Sequence, residues 1–540
     1  MTTTDPLSQF GTKTTHQQSQ VPGRTDQVKN NAGGFVFQID PLAQLRRFLT
    51  IGTTGGTYYV SERDLTKENG ELVIKLVQES PESHKIVVDE IVGISVAGRA
   101  PKQNPTLFAL AIACQMGETE GKQYARQQIN KVVRTGTHLF IFVRYLQQFG
   151  GWSRGLRKAV GNWYTEKDSD KLALQLIKYR QREGYTHRDV LRLSHPKIEG
   201  PGKRAAIDWA VKGKAEDRDS LPDFIKFFEL AQKPEADIPA LLEKTYLPWE
   251  ALPDSAMNDT KVWDKLLDNG MPINALVRQL PRLTKLGLAS EMGGRTGDIV
   301  AQLLNPEAVS KSRIHPIQVL VAMSTYRSGQ GTRSEWRPIP AVLDALDEMF
   351  YLSFGNVEPA GKRTLNGLDI SGSMAGYGWS GYGRAAQGQF PLSPREVSAA
   401  MAMVGVRTEQ QIMTLGFSHE LITLPISKRQ RLDDVIRTVS GLPFGRTDCA
   451  LPMLYAMQHD LEIDTFVVYT DNETWYGHIH PFQALQTYRK ESGINAKLVV
   501  VAVTPTSFSI ADPKDPGMLD ISGFDSATPQ FISDFSAGRV

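Results

Sequence analysis

The chain has 540 residues, of which 41% are hydrophobic and 22% charged. That length allows several domains with large buried cores, and the composition excludes a disordered chain, a collagen-like fibre and a disulfide scaffold. The net charge of +2 hides an asymmetry: Lys122 to Lys214 holds 20 Lys and Arg against 7 Asp and Glu, a net of +13, whereas residues 361–540 sum to −3. Such a concentration of cations points to a polyanion-binding surface, the alternative being several solvated helix faces.

The first 30 residues are polar and lack an apolar core segment, so they read as a mobile tail (1–30) rather than a secretory signal. No run of about 18 apolar residues occurs, and no membrane span is expected. Cys114 and Cys449 lie outside any metal-type spacing and read as free thiols of a cytoplasmic protein.

From about Asp40 the pattern is helical. PLAQLRRFLTIG (41–52), NPTLFALAIACQ (104–115), TGTHLFIFVRYLQQFG (135–150) and DKLALQLIKYRQREG (170–184) place apolar residues at helical spacing, with Gly or Pro near their ends. Many short helices over more than 300 residues predict stacked helical pairs, although no clean repeat is visible.

The basic segment lies inside this array. Leu172, Leu176 and Ile177 fall on one helical face; Lys171, Gln175, Lys178 and Arg182 fall on another and form a basic stripe that can track phosphates. Thr186 is placed to cap the next helix with Asp189 three residues on, which puts His187 and Arg188 in its first turn and Arg192 one turn later. Arg180 lies between the two. Upstream, Arg154, Arg157 and Lys158 share a helix, and Trp152, Trp163, Tyr164 and Tyr185 are interleaved. Cations, a helix N-terminus and aromatics together favour RNA over a membrane surface.

Near residue 360 the pattern changes. TLNGLDIS (364–371), QIMTLGFS (411–418), DTFVVYTDN (464–472) and AKLVVVAVTP (496–505) read as strands, and helical stretches separate them. Alternation of this kind predicts a parallel sheet with helices on both faces and a site at the carboxyl ends of the strands. There the sequence offers Asp369, Ser371 and Ser373, then Thr447 and Asp448, then Asp471, an oxygen-rich set suited to a hard cation such as Mg²⁺. Aromatics of the Gly-rich stretch that follows (Tyr377, Trp379, Tyr382) could stack on a partner. No general base is identifiable beside these residues; Glu473 is the nearest candidate and reads as a surface residue.

The ordered rim resembles the von Willebrand factor A fold with its metal-ion-dependent adhesion site. The resemblance implies Asp369, Ser371, Ser373, Thr447 and Asp471 as the metal ligands, with Mg²⁺ expected and an open position for water or a partner's carboxylate. GGTYYV (55–60), GTHLFIF (136–142), KYRQREGYTHRDVLRLSHPK (178–197), RIHPIQVLVA (313–322), GRTDCALPM (445–453), VYTDNETW (468–475) and FSIADPKDPGMLDISGFD (508–525) extend the likeness over nearly the whole chain. By these motifs the chain resembles the Ro 60-kDa ribonucleoprotein family (TROVE module plus von Willebrand A domain), and NNAGGFVF near Asn31 resembles its bacterial members.

The resemblance implies a multidomain protein: a toroid of HEAT-like α-helical repeats over 31–358, closed by an α/β doubly wound, Rossmann-like von Willebrand A domain over 361–540. It implies a non-enzymatic, monomeric, cytoplasmic protein that holds single-stranded 3′ ends of misfolded noncoding RNAs in a central hole. Y-like small RNAs would bind the outer basic surface, and a 3′→5′ exoribonuclease would be a partner. His187 is carried over from the family's RNA-binding stretch; Lys178, Arg180, Arg182, Arg188 and Arg192 are assigned mainly on charge. A protein-interaction scaffold that uses the metal rim is the rival reading. One departure is Asn366 and Gly367 in the strand before the rim, where the family is more apolar, so that strand is expected to be distorted.

Overall fold

The computed structural model describes residues 14–52, 62–331 (62–65 by backbone only), 334–355, 357–375, 392–443, 445–523 and 525–540. Thirteen strands occur among these: β1 (Gln27–Lys29), β2 (Phe35–Gln38), β3 (Gln181–Arg182), β4 (Tyr185–Thr186), β5 (Ala289–Ser290), β6 (Gly293–Gly294), β7 (Thr364–Asp369), β8 (Ile412–Phe417), β9 (Leu421–Thr423), β10 (Thr465–Thr470), β11 (Lys497–Ala502), β12 (Phe508–Ser509) and β13 (Met518–Ser522). The rest of the regular structure is helical.

From Pro41 to Leu352 the helices are short, and polar caps set their ends. Asp40 accepts from the amides of Leu42 and Ala43 ahead of Pro41, and Ser80, Ser153 and Asp168 cap their helices in the same way. Consecutive helices pack on one another around a continuous core. The last helices return to the first. Arg313 donates to the Val96 carbonyl (3.0 Å), His315 Nε2 to the Arg99 carbonyl (3.1 Å) and Gln318 Nε2 to the Pro101 carbonyl (2.9 Å). These contacts span more than 200 residues of sequence and close the array into a ring.

The C-terminal domain bridges both ends of that ring. On one side Arg47 pairs with Asp520, Thr50 Oγ1 lies 2.6 Å from Ser522 Oγ, and Arg99 Nε donates to Asp525 (2.8 Å). On the other, Arg407 pairs with Asp347 and Glu348 (both 2.9 Å), and the Leu432 amide donates to Asp347 (2.9 Å). Its sheet has the order β13-β11-β10-β7-β8-β9, parallel except for β9. Side chains alternate between two cores: Leu368, Val467 and Val499 face one, Leu365, Phe466 and Leu498 the other. Burial on both faces is why these strands read as continuous apolar runs.

Two expectations are corrected here. β7 is a regular, fully buried strand paired with β8 and β10 despite Asn366 and Gly367. A Cβ on Gly367 would lie 2.7 Å from Pro452 Cγ, so glycine lets the helix Leu451–Gln458 approach the sheet. The described part of the polar tail, residues 14–30, is also packed on the C-terminal domain. Gln17 is fully buried, and β1 and β2 form a small antiparallel sheet with β12 on the C-terminal domain. No helix among the described residues is long and apolar enough to cross a membrane.

Candidate functional site

The rim is built where β7 and β10 end. Asp369 is the last residue of β7 and has no solvent exposure. Its Oδ1 accepts from the Ser371 amide (2.9 Å) and its Oδ2 from Thr470 Oγ1 (2.7 Å). Ser371 Oγ and Ser373 Oγ lie 3.1 Å apart, and Ser373 also bonds Asp471, whose Oδ1 accepts from the Glu473 amide (3.0 Å). Thr447 is buried on the neighbouring loop, where its carbonyl accepts from the amides of Trp475 and Tyr476 (3.1 and 3.0 Å).

Four of the five proposed ligands are thus tied together by their side chains, and the fifth lies on the loop bonded to the same turn. Burial pushes the carboxyls of Asp369 and Asp471 up, and Asp369 adds its own repulsion to Asp471. Neither forms an ion pair among the described residues, which also contain no cluster of three or more His, Cys, Asp or Glu able to hold a metal. Two buried carboxylates among hydroxyls fit a divalent hard cation, which would neutralise them.

The sequence did not show that the N-terminal segment reaches this rim. Gln17 Nε2 donates to Asp448 Oδ1 (2.8 Å), and Gln17 Oε1 accepts from Thr474 (2.6 Å). Asn30 Nδ2 donates to the carbonyls of Asn472 (3.1 Å) and Thr474 (2.8 Å). Glu473, read from sequence as a surface residue, is fully buried. Its two oxygens accept from Asn31 Nδ2 (2.6 Å) and the Ala32 amide (3.0 Å), and burial raises its carboxyl to about 7. The sequence signal of this strap was the short apolar run FVF in β2. The aromatics Tyr377, Trp379 and Tyr382 lie outside the described residues.

The basic segment forms a second candidate surface. Arg154, Arg157 and Lys158 are exposed on the helix Arg154–Thr165, and Arg188 and Arg192 on the helix His187–Ser194, and these two helices pack against each other. None of the five has an ion-pair partner among the described residues. Thr186 and Asp189 form the expected capping box. The stripe, however, is broken. Its helix stops at Lys178, whose ammonium is 3.3 Å from Glu250; Gln175 turns inward to accept from the Gly136 amide (2.9 Å). Arg182 lies in the β3–β4 hairpin, and Lys171 pairs with Asp168 in solvent (2.9 Å). Arg180 is exposed, with its guanidinium 5.1 Å from the Phe228 ring centre.

The structure corrects the role expected of His187. It is 3% exposed, inside a box of Phe140, Trp163 and Tyr164 rings. Burial lowers its pKa to about 4 and keeps the ring neutral. Nδ1 is 3.0 Å from the Tyr164 hydroxyl and Nε2 is 3.2 Å from the Gln175 carbonyl, so Nε2 donates and Nδ1 accepts. His187 thus lies in the core of the basic segment and not on its exposed face. It fixes the N-terminus of one basic helix to the other. Trp163 and Tyr164, read as stacking aromatics, are core residues of the same box.

Residues 28–217 and 244–330 match the TROVE domain model, and residues 363–536 match the Ro60 vWA domain model. The chain belongs to the Ro60 family. It is 38% identical to the RNA-binding protein RO60 of Deinococcus radiodurans over 95% of this chain and 96% of that one. It is 35% identical to the RNA-binding protein RO60 of Caenorhabditis elegans, over 95% and 90%. The crystal structure of the Deinococcus radiodurans RO (RSR) protein superposes with a TM-score of 0.68 at 37% identity, covering 93% of this chain and all of that one. The Ro60 fold, a helical ring joined to a von Willebrand A sheet, is therefore the fold of this chain.

Proposed function

We propose that this chain is a non-catalytic, monomeric RNA-binding scaffold of noncoding-RNA quality control in the cytoplasm. Structured Y-like RNA binds the outer basic face, single-stranded 3′ ends of misfolded RNAs enter the ring, and a 3′→5′ exoribonuclease receives the bound RNA. The supporting observation is the group of five unpaired, exposed cations on two helices that His187 joins. The names of the relatives in two distant organisms and the closed helical ring agree with it. The test is fluorescence anisotropy on a duplex RNA with an unpaired 3′ tail and on its blunt counterpart, at several salt concentrations. Tight, tail-dependent and salt-sensitive binding supports the proposal. Equal weak binding to both RNAs removes it.

His187→Ser removes a buried ring and two hydrogen bonds, at a cost of about 2–4 kcal/mol in stability. It loosens the two basic helices from each other. Structured-RNA affinity then falls more than tail affinity; equal losses of both would contradict two separate surfaces.

A second reading is favoured by the rim: a metal-dependent docking site for a partner's carboxylate. Asp369, Ser371, Ser373, Thr447 and Asp471 would hold Mg²⁺, which supplies an open coordination position there. Mg²⁺ at 100 times its dissociation constant then stabilises the chain by about 2.7 kcal/mol in a melting experiment. Asp369→Ala abolishes that increment and spares RNA affinity. If Mg²⁺ shifts the melting of wild type and Asp369→Ala equally, the rim is not its site.

A further inference from the structure

The helix Pro81–Ala97 ends at the seam where the last helices of the ring meet the first. Two guanidinium groups converge on that end. Arg134 Nη1 donates to Ser95 Oγ (2.9 Å) and to the Lys131 carbonyl (3.2 Å), and Arg313 Nη1 donates to the Val96 carbonyl (3.0 Å). Anchored on consecutive residues, the two charges repel each other; burial and this repulsion hold Arg134 below its ordinary pKa. No carboxylate offsets them: Arg134, Arg313 and the exposed Lys131 have no ion-pair partner among the described residues. The helix end supplies about half a negative charge, too little for two guanidinium groups. Nor do the arginines close that helix, because the amides of Gly98 and Arg99 already bond the carbonyls of Ser95 (3.3 Å) and Ile94 (3.2 Å). Arg313 is also held at a φ of 51°, the left-handed conformation that favours glycine after a helix. A cation kept at a glycine position, beside a second cation that it repels, marks a place where an anion binds.

We propose that Arg134 and Arg313 form a seat for one backbone phosphate of the bound RNA at the seam of the ring. The remaining N–H groups of both guanidinium forks donate to the phosphate oxygens. The phosphate replaces repulsion between the two arginines by attraction to each, so the RNA backbone ties the first helices of the ring to the last. The seat continues the basic segment: the carbonyl of Val133, next to Arg134, accepts from Trp163 Nε1 (2.6 Å) on the helix that carries Arg154, Arg157 and Lys158. A phosphate contact carries no base information, so the seat takes any sequence. This inference rests on the RNA-binding reading above and adds a contact across the ring closure that the cations of the outer face do not make.

The test uses the full chain, wild type and the variants Arg134→Gln, Arg313→Gln and Arg313→Lys, with a duplex RNA that bears an unpaired 3′ oligouridine tail. Affinity is read over a salt series, and melting is read with and without the RNA. Each Gln variant is expected to bind the RNA about tenfold more weakly, as the loss of a charge-assisted hydrogen bond predicts. Each also flattens the slope of log affinity against log salt by about 0.9, the share of one phosphate, whereas Arg313→Lys keeps the wild-type slope. Without RNA, Arg313→Gln melts no lower than wild type, because the repulsion is gone; the rise in melting temperature on adding RNA is what shrinks. A lower RNA-free melting temperature in Arg313→Gln makes Arg313 a structural cap and overturns the proposal, as do unchanged affinity and slope in both Gln variants. Wild type alone tells this failure from that of the parent reading: if it shows no salt-sensitive binding to the RNA, the parent reading falls and the seat falls with it.

Discussion

Replacing Arg157, Arg188 and Arg192 together by Glu lowers affinity for a structured RNA about 500-fold near 0.1 M salt. The figure follows from counterion release: each phosphate contact contributes about 0.9 to the slope of log affinity against log salt. Three lost contacts flatten the slope by about 2.7, which at a tenfold dilution from 1 M salt is a factor of about 500. These arginines suit the experiment because they are exposed and have no ion-pair partner among the described residues, so reversing them leaves no buried charge behind. Lys171→Glu is the control, since Lys171 already pairs with Asp168 and lies off the patch. A triple variant whose salt slope matches wild type would move the RNA surface elsewhere on the ring.

The C-terminal sheet was legible in the sequence because parallel strands buried on both faces are written as uninterrupted apolar runs, and β7, β8, β10 and β11 lie where those runs do. The rim followed from the same pattern, since a strand's end fixes where its next polar residues go. β13 escaped: its sequence MLDIS mixes polar and apolar residues, as an outer strand does, with Asp520 and Ser522 turned to the helical ring. The basic stripe failed for a local reason. Glu183 and Gly184 both have positive φ (55° and 80°) and make a two-residue turn between β3 and β4, so the helix could not run on to Arg182.

His187 failed for a distant reason. Its cap was visible three residues away, but the box that buries it comes from Phe140, Trp163 and Tyr164 on two other helices. Helical periodicity marks which face of a helix is apolar; it does not say which faces meet. The strap is the extreme case, because Gln17 and Asp448 are 431 positions apart and both are polar.

Gly34→Ala is the largest single-site effect expected on the fold. A Cβ at position 34 would lie 1.9 Å from the carbonyl oxygen of Thr474 and 2.9 Å from its carbon, and both are backbone atoms that no rotamer change can move. The turn has little room to shift. Asn30 accepts from the Gly34 amide (2.8 Å) while its side-chain amide holds the Asn472 and Thr474 carbonyls, and the Phe35 amide bonds the Gln17 carbonyl (2.7 Å). Relieving the clash therefore means lifting the strap. That exposes Val36 and Phe37, each 1% exposed in the native chain, and strips Glu473 of both partners.

Burying two such side chains is worth about 1.5–3 kcal/mol each, so a loss of about 3–6 kcal/mol is expected. Gly33→Ala is the matched comparison: its φ of 91° strains a side chain, but no atom lies within 4 Å of the added carbon, and about 1 kcal/mol is expected. Trypsin reads the difference directly, because a lifted strap presents Arg24, which in the native chain is paired with Asp512. The proposed metal rim gives a second readout: with the Asp471–Glu473 turn unsupported, any Mg²⁺-dependent rise in melting temperature that wild type shows is expected to shrink in Gly34→Ala and to persist in Gly33→Ala. If Gly34→Ala stays as trypsin-resistant and as Mg²⁺-responsive as wild type, the strap is packed on the rim without supporting it.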